Sequence, residues 1–302
     1  PDAGKILPEA AMTFRPLVSV VVANYNYGRH FQQFFKALAA QTLDLARVEV
    51  ILADDGSTDG SPALARSWGG WLPAGRFELL ELRHHGRPGP VRNAGFAQAR
   101  GEFLAYLDPD DAPAPRFLES CLEALAAHPE AGLAYTDCIL REGREGEAER
   151  RICSPEFSAD LLRTQNFLTS SPVMRRAVWD KSRGFVSNTA YEDWDFWVQA
   201  AANGFAGVRV AEPLLDHYCH GANYSLRAVE QDGPAKARIV LNSPEFFDPA
   251  VQGWARGLLR GLAWAAPFGR GLIPRPQDVA RLRAIAADVL AARRQRGAGA
   301  AA

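Results

Sequence analysis

Cysteine is scarce in this 302-residue chain, and Cys121, Cys138, Cys153 and Cys219 stand too far apart to form the paired spacings that hold zinc. No disulfide scaffold is expected, and a reducing compartment, the cytoplasm, is the expected setting. Long apolar runs are also missing. The longest tract, residues 258–273, is broken by Arg260, Pro267 and Arg270 and makes a poor membrane span. Residues 1–16 have no apolar core after Lys5, so no signal peptide is expected. There is no internal repeat. No Gly-x-Gly-x-x-Gly follows the first apolar strand and no Gly-x-x-x-x-Gly-Lys-Ser/Thr occurs, which removes the main support for dinucleotide oxidoreductases and P-loop enzymes. A net charge of −1 gives no overall attraction to nucleic acid. Hydrophobic content of 47% against 23% charged residues excludes wholesale disorder.

What the chain does have is an alternation of strand and helix patterns. Residues 17–23, 48–53, 77–82 and 102–107 read as buried strands, the first a β-branched run. Between them, Phe31, Phe34, Phe35 and Leu38 mark one helix by their i, i+3, i+4, i+7 spacing, and residues 62–68 and 91–100 suit two more, with Ser61 as a cap. This order predicts a parallel, doubly wound sheet. Further on, residues 115–127 read as an amphipathic helix, 131–140 as a strand and 141–151 as a charged hairpin or loop. Residues 193–203 read as a helix, 207–211 as a short strand, and the chain from 228 as mostly helical.

Two strand ends carry acids. Leu104-Ala-Tyr-Leu-Asp108-Pro-Asp110-Asp111 crowds three carboxylates into four positions, and Asp54-Asp55 closes the second strand. Like charges that close repel unless a cation shares the site, and Mg²⁺ or Mn²⁺ takes carboxylate oxygens together with water and phosphate. In open α/β sheets, ligands bind beyond the carboxyl ends of strands, where both clusters fall. A nucleotide fits this inventory. Tyr25 can stack on a base, Asp55 can accept from a base N–H, and a metal at Asp110 can bridge two phosphates. Arg92, at a helix start after a Gly-rich loop, can meet a phosphate or fix the carboxylates.

In Tyr191-Glu192-Asp193-Trp194-Asp195-Phe196-Trp197, three acids interleave with four aromatics at a helix start. Acids there complement the helix dipole, and one ringed by aromatics gains proton affinity, which suits a general base. His217-Tyr-Cys-His220 cannot converge on one metal from a strand, because neighbours alternate faces; His220 remains a candidate for the phosphate or metal region.

Taken together, these segments resemble the family 2 inverting glycosyltransferases with a GT-A fold. Residues 18–26 are similar to the family's opening strand and nucleotide loop, and 52–59 to its second-strand motif. Residues 89–95 and 99–111 resemble the run into its Asp-x-Asp motif, 192–197 its Glu-Asp motif, and 220–225 a later His-containing loop. The resemblance runs in the family's order from residue 17 to about 225, with Ala23-Asn24 where the family usually has Pro or a hydroxyl residue.

The resemblance implies a GT-A type, Rossmann-like, mostly parallel sheet flanked by helices, divided into a tail (1–16), a nucleotide-sugar half (17–111), an acceptor-side half (112–227) and a basic helical C-terminal extension (228–302). It implies inverting, metal-assisted transfer of a sugar from a nucleoside diphosphate, UDP by preference, to a hydroxyl of a glycan or lipid-linked acceptor in cell-surface glycan synthesis. Asp193 would be the base. Ala23, Tyr25, Asp54, Asp55, Arg92, Asp108, Asp110, Glu192 and His220 would bind the nucleotide-sugar, with Asp110 and Asp108 on Mn²⁺ or Mg²⁺. The alternatives are a metal-dependent nucleotidyltransferase and a nucleotide- or carbohydrate-binding module without turnover.

Residues 251–302 hold nine arginines against two aspartates, a local charge of +7 that leaves about −8 on the rest. Trp254, Trp264 and Phe268 interleave with Arg256, Arg260 and Arg270. The segment reads either as a helical appendage with a solvated Arg face or as a peripheral contact with the inner face of a membrane.

Overall fold

The β-branched run at the start of the pattern forms strand β1 (Val18–Asn24), which pairs in parallel with β2 (Val48–Asp54) and β4 (Phe103–Leu107); β3 (Arg76–Glu81) pairs in parallel with β2. The structure is a computed structural model that describes residues 14–142, 148–168, 171–220 and 228–299, with 293–299 as helix backbone alone. Helices α1 (Phe31–Ala39), α2 (Ser61–Trp71) and α3 (Pro88–Gln98) connect these strands. Both faces are covered, as the continuous apolar run requires. Val18, Val20 and Val22 pack with Phe31, Phe34, Phe35 and Leu38 on one side, all fully buried. Val21 points to the other side, against α3, where a Cβ on Gly95 would sit 2.4 Å from Val21 Cγ1. Only glycine allows so close an approach. Ser61, expected as a helix cap, is instead the first residue of α2; Gly60, at φ +82°, holds the cap position.

Beyond β4 the sheet changes character. The order is β3-β2-β1-β4-β8-β6-β9-β5, with β5 (Ala112–Pro113), β6 (Ala131–Glu142), β8 (Val173–Arg175) and β9 (Ala206–Cys219), while β7 (Ala148–Ile152) pairs with β6 at the side. Here β8 runs antiparallel to both β4 and β6, and β5 antiparallel to β9; β6 and β9 are parallel. Helix α4 (Phe117–Ala127) follows β5, with Phe117, Leu118, Cys121 and Leu125 buried as its stripe predicts. Strand β9 is the largest departure from the sequence reading, which places a strand only at 207–211. It runs on to Cys219 through Pro213, and its register with β6 shifts at Thr136–Asp137 and Asp137–Cys138. A bulged strand loses the alternation by which strands are read.

Helices α5 (Ala159–Leu162), α6 (Arg176–Asp180) and α7 (Glu192–Ala202) complete the segment around the sheet. After residue 228 come α8 (Asp232–Asn242), α9 (Pro249–Leu259) and α10 (Pro276–Gly299). These are not laid loosely on the surface. Ile239, Val240, Val251, Trp254, Ile273 and Val279 join the same buried cluster as Trp194, Phe196 and Trp197 of α7. Of the three aromatics in this segment, Trp254 is buried and Trp264 and Phe268 are half-buried. Trp254 is fully buried and donates its indole N–H to Ala266 O at 2.9 Å, and Trp264 lies under the Arg283 guanidinium, 4.3 Å from its carbon. No helix among the described residues is long and apolar enough to cross a membrane.

Candidate active site

The carboxyl ends of β1, β2 and β4 open into a cavity of about 1140 Å³, closed on the far side by the start of α7 and the loop before α10. Ala23, Tyr25, Asp55, Arg92, Asp108, Asp110, Glu192 and Asp193 all line it. Asp54 does not, although the sequence reading assigns it to the nucleotide. Its carboxylate accepts from Asn24 Nδ2 (2.6 Å) and from the Ser57 backbone N–H (2.9 Å), and it is buried at the β1–β2 seam. Successive strand residues face opposite ways, so only one acid of the pair can reach the cavity.

Asp55 organises the loop after β3. It accepts from the backbone N–H groups of His85 (2.7 Å) and Gly86 (3.0 Å), and both neighbouring imidazoles approach it, His84 Nδ1 at 3.0 Å and His85 Nδ1 at 2.9 Å. Each carboxylate oxygen has two acceptor sites, so these four contacts use all of them, and a ligand N–H would take the place of one imidazole. The Tyr25 ring stacks on His84 with centroids 4.2 Å apart. The sequence reading missed His84 and His85; the signal was a His-His pair directly after the third strand, ahead of a Gly/Pro-rich loop.

Arg92, on α3, resolves its two readings in favour of fixing carboxylates. Nη2 donates to both oxygens of Asp108 (2.8 and 3.2 Å) and Nη1 to Glu192 Oε1 (3.2 Å). The guanidinium carbon lies 4.4 Å from the Tyr106 ring centre, and the whole side chain is buried. Burial opposes the charge, but Asp108, Tyr106 and Glu192 outweigh it and drive the pKa of Arg92 upward. Burial pushes Glu192 up to about 7 in spite of Arg92.

The third acidic group lies at the β4–β5 turn. Because β5 pairs with β9, with Ala112 opposite Asp216, the turn meets the end of β9. His217 Nδ1 lies 2.9 Å from Asp111 Oδ1, and His220 Nε2 lies 3.0 Å from Asp110 Oδ2. Asp111 holds His217 up to about 9, so that imidazole is a cation paired to a buried acid. Burial lowers His220, with Arg29 and His217 adding to the effect, so its ring is neutral at pH 7. Burial and the repulsion of Asp111 and Asp108 push Asp110 up to about 8. This crowding is what a divalent cation relieves, and carboxylate oxygens are ligands that Mn²⁺ or Mg²⁺ accepts. Among the described residues no group of three or more His, Cys, Asp or Glu side chains is placed to hold a metal ion, so one held here by two carboxylates would complete its shell with water and phosphate. The rest of the His220 loop expected from the sequence, residues 221–225, lies outside the described residues.

Asp193, which lines the same cavity, sits in the first turn of α7, half-buried, and accepts from Asn166 Nδ2 at 3.0 Å. Burial raises its pKa above the usual carboxylate range, against the backbone N–H groups of the turn and Arg92. Asp195, the next acid, faces away into the core, bonded to Gln199 and Asn242. The same cavity thus offers crowded acids suited to a cation and phosphates, and in Asp193 an acid suited to taking a proton.

The model of the family described as glycosyl transferase family 2 matches residues 19–178. The succinoglycan biosynthesis protein ExoO of Rhizobium meliloti (strain 1021) is 30% identical over 269 residues, covering 84% of this chain and 76% of that one. An uncharacterized glycosyltransferase of Nostoc sp., alr2836, is 28% identical over 252 residues, 78% of this chain and 76% of its own. In fold, the chain is similar to S. aureus TarS 1–349 in complex with UDP-GlcNAc (TM-score 0.62, 19% identity, 82% of this chain and 72% of that one). It is equally similar to the mannosyltransferase PcManGT from Pyrobaculum calidifontis in complex with GDP-Man and Mn²⁺ (TM-score 0.61, 21% identity, 96% and 81%). With a mixed sheet of this order and a family match over more than half its length, the chain belongs to glycosyl transferase family 2 and has the GT-A fold.

Proposed function

We propose that this glycosyltransferase moves a sugar from a nucleoside diphosphate, UDP by preference, to a hydroxyl of a glycan acceptor, with inversion at the anomeric carbon. The observation that carries this reading is one cavity lined by Asp108 and Asp110 together with Asp193. Inversion is a single in-line displacement that needs a base on one side of the sugar and a stabilised leaving group on the other. Asp193 takes the acceptor proton as the acceptor oxygen bonds to the anomeric carbon, and the bond to the diphosphate breaks with its electrons leaving on the phosphate. Asp110 and Asp108 would hold Mn²⁺ or Mg²⁺, which when bound would offset the charge of the departing diphosphate. Tyr25 and His84 offer a stacking face for the base, and Asp55 a carboxylate that could accept its N–H in place of an imidazole. Arg92 holds Asp108 and Glu192 in place. The UDP-GlcNAc of TarS and the GDP-Man and Mn²⁺ of PcManGT support a nucleotide-sugar donor and a divalent cation.

The test is calorimetry of UDP, GDP and dTDP with Mn²⁺. One nucleotide binds only with the metal, and Asp110→Ala weakens it by about 100-fold, the upper end of what losing even an outer-shell partner costs a metal site. Binding that survives Asp110→Ala, or none of the three binding, would sink the assignment.

A second expectation follows from the raised pKa of Asp193. A base must be ionised, so a raised pKa moves the acid limb of the kcat–pH profile upward. The Asn166 amide favours the ionised form; Asn166→Leu removes it and moves that limb up by about one further pH unit. An unshifted limb would show that another group sets the protonation of the reaction.

A further inference from the structure

On the reading just given, we infer that Arg270 forms an anion subsite on the acceptor side of the cavity, and that the acceptor carries a phosphate or carboxylate group which this guanidinium receives. Arg270 and Gly271 stand in the cavity wall together with Tyr191 and Asp193. The other cavity arginines are engaged: Arg92 with Asp108 and Glu192, Arg87 with Ser187 O, and Arg29 with His30. Arg270 makes no ion pair or side-chain hydrogen bond with any of the described residues.

Its position is nevertheless held with unusual care. Lys236, on α8, has a fully buried side chain whose ammonium donates to Phe268 O (3.0 Å) and Gly269 O (2.8 Å) and pairs with Asp232 at 2.5 Å. Asp232 in turn accepts from Gly271 N–H and from the Tyr191 hydroxyl, each at 2.9 Å. Burying an ammonium costs several kcal/mol unless it is fully bonded, on the order of the penalty for any desolvated ion. This one clamps the backbone immediately before Arg270, while its aspartate partner clamps the backbone immediately after it. The same aspartate ties that loop to Tyr191, the residue before Glu192 and Asp193. The positive charge of Arg270 is felt at the Tyr191 phenol. A guanidinium without a partner among the described residues, in the cavity wall that also holds Tyr191 and Asp193, suits an oxyanion on the acceptor. A guanidinium meets phosphate and carboxylate alike through paired N–H groups.

The experiment loads the full chain with UDP and Mn²⁺ and titrates hexyl phosphate, hexyl glucuronide and neutral hexyl glucoside by calorimetry. One or both anions bind and the glucoside does not; Arg270→Gln weakens the anion about tenfold, as for loss of a charged hydrogen bond. Arg270→Lys keeps part of the affinity, and Arg275→Gln, on the exposed surface nearby, keeps all of it. Preference for the phosphate identifies a phosphorylated acceptor, and preference for the glucuronide an acidic sugar. Binding of neither anion to the UDP-loaded protein, or equal binding by Arg270→Gln, overturns the inference and leaves the donor assignment standing. Failure of UDP itself to bind overturns the reading beneath it.

Discussion

Asp193→Asn lowers kcat by about 10²–10⁴-fold, the usual contribution of a positioned general base, while metal-dependent UDP affinity stays within about twofold of the parent. The separation of the two effects follows from the cavity. Asp193 bonds to Asn166 and, among the described residues, has no bond to the loop that Asp55 organises. An amide there keeps the shape and can still accept from Asn166, so the local packing survives. What is lost is the capacity to take a proton. Stability does not fall either: Asp193 raises the proton affinity of Glu192 beside it, and neutralising one of two crowded acids relieves that repulsion. The favourable contact of a charge with the helix N-terminus is lost in exchange, worth about 0.3–1 kcal/mol. The measurement is UDP release from the preferred donor at saturating acceptor, with calorimetry of UDP beside it. Turnover within tenfold of the parent would remove Asp193 from the reaction, and a matching fall in UDP affinity would make it a binding residue instead.

Much of this arrangement is legible in the sequence because local physics repeats itself there. The run of valines in β1 has to be covered on both faces, which announces a parallel sheet with helices on either side. Three acids in four residues at a strand end announce either a cation or an instability. The unreadable parts depend on pairings between distant segments. Nothing near residue 111 says that β5 will lie against β9, so the Asp111–His217 and Asp110–His220 contacts appear only in the fold. The adjacent acids Asp54 and Asp55 look equivalent as letters, yet the alternation of a strand sends one into the β1–β2 seam and leaves the other facing the cavity. The C-terminal arginines and tryptophans suggest a solvated or membrane-facing surface, because a pattern of aromatics and charges does not say which side the core is on. In the fold, Trp254 is core and Lys236 is a buried clamp.

Arg92→Met destabilises the protein by about 3 kcal/mol, the low end for breaking a buried ion pair, and abolishes transfer in the fraction that remains folded. Among the described residues Arg92 is the one cation paired with Glu192, which is 8% exposed at its side chain, while Asp108 at 35% keeps some water, so the loss falls mainly on Glu192. Methionine fills the apolar space against Tyr106 and Phe185, which separates loss of charge from loss of packing. The pH dependence gives the sign. With Arg92 present, Glu192 is already raised from 4.5 to about 7; a carboxyl raised in the folded state favours folding at low pH, and that contribution disappears as pH climbs through the raised value. Without Arg92, the largest influence that lowers Glu192 is gone, and its pKa moves higher still. The variant therefore approaches parental stability near pH 5, where Glu192 holds its proton in both folded proteins. It loses ground steadily through neutrality. Urea denaturation at pH 5 and pH 8 reads this directly: the gap between variant and parent widens at pH 8 with unchanged m-values. A gap of equal size at both pH values would mean that Arg92 matters through packing over Tyr106, and that the two carboxylates it bridges are held by something else.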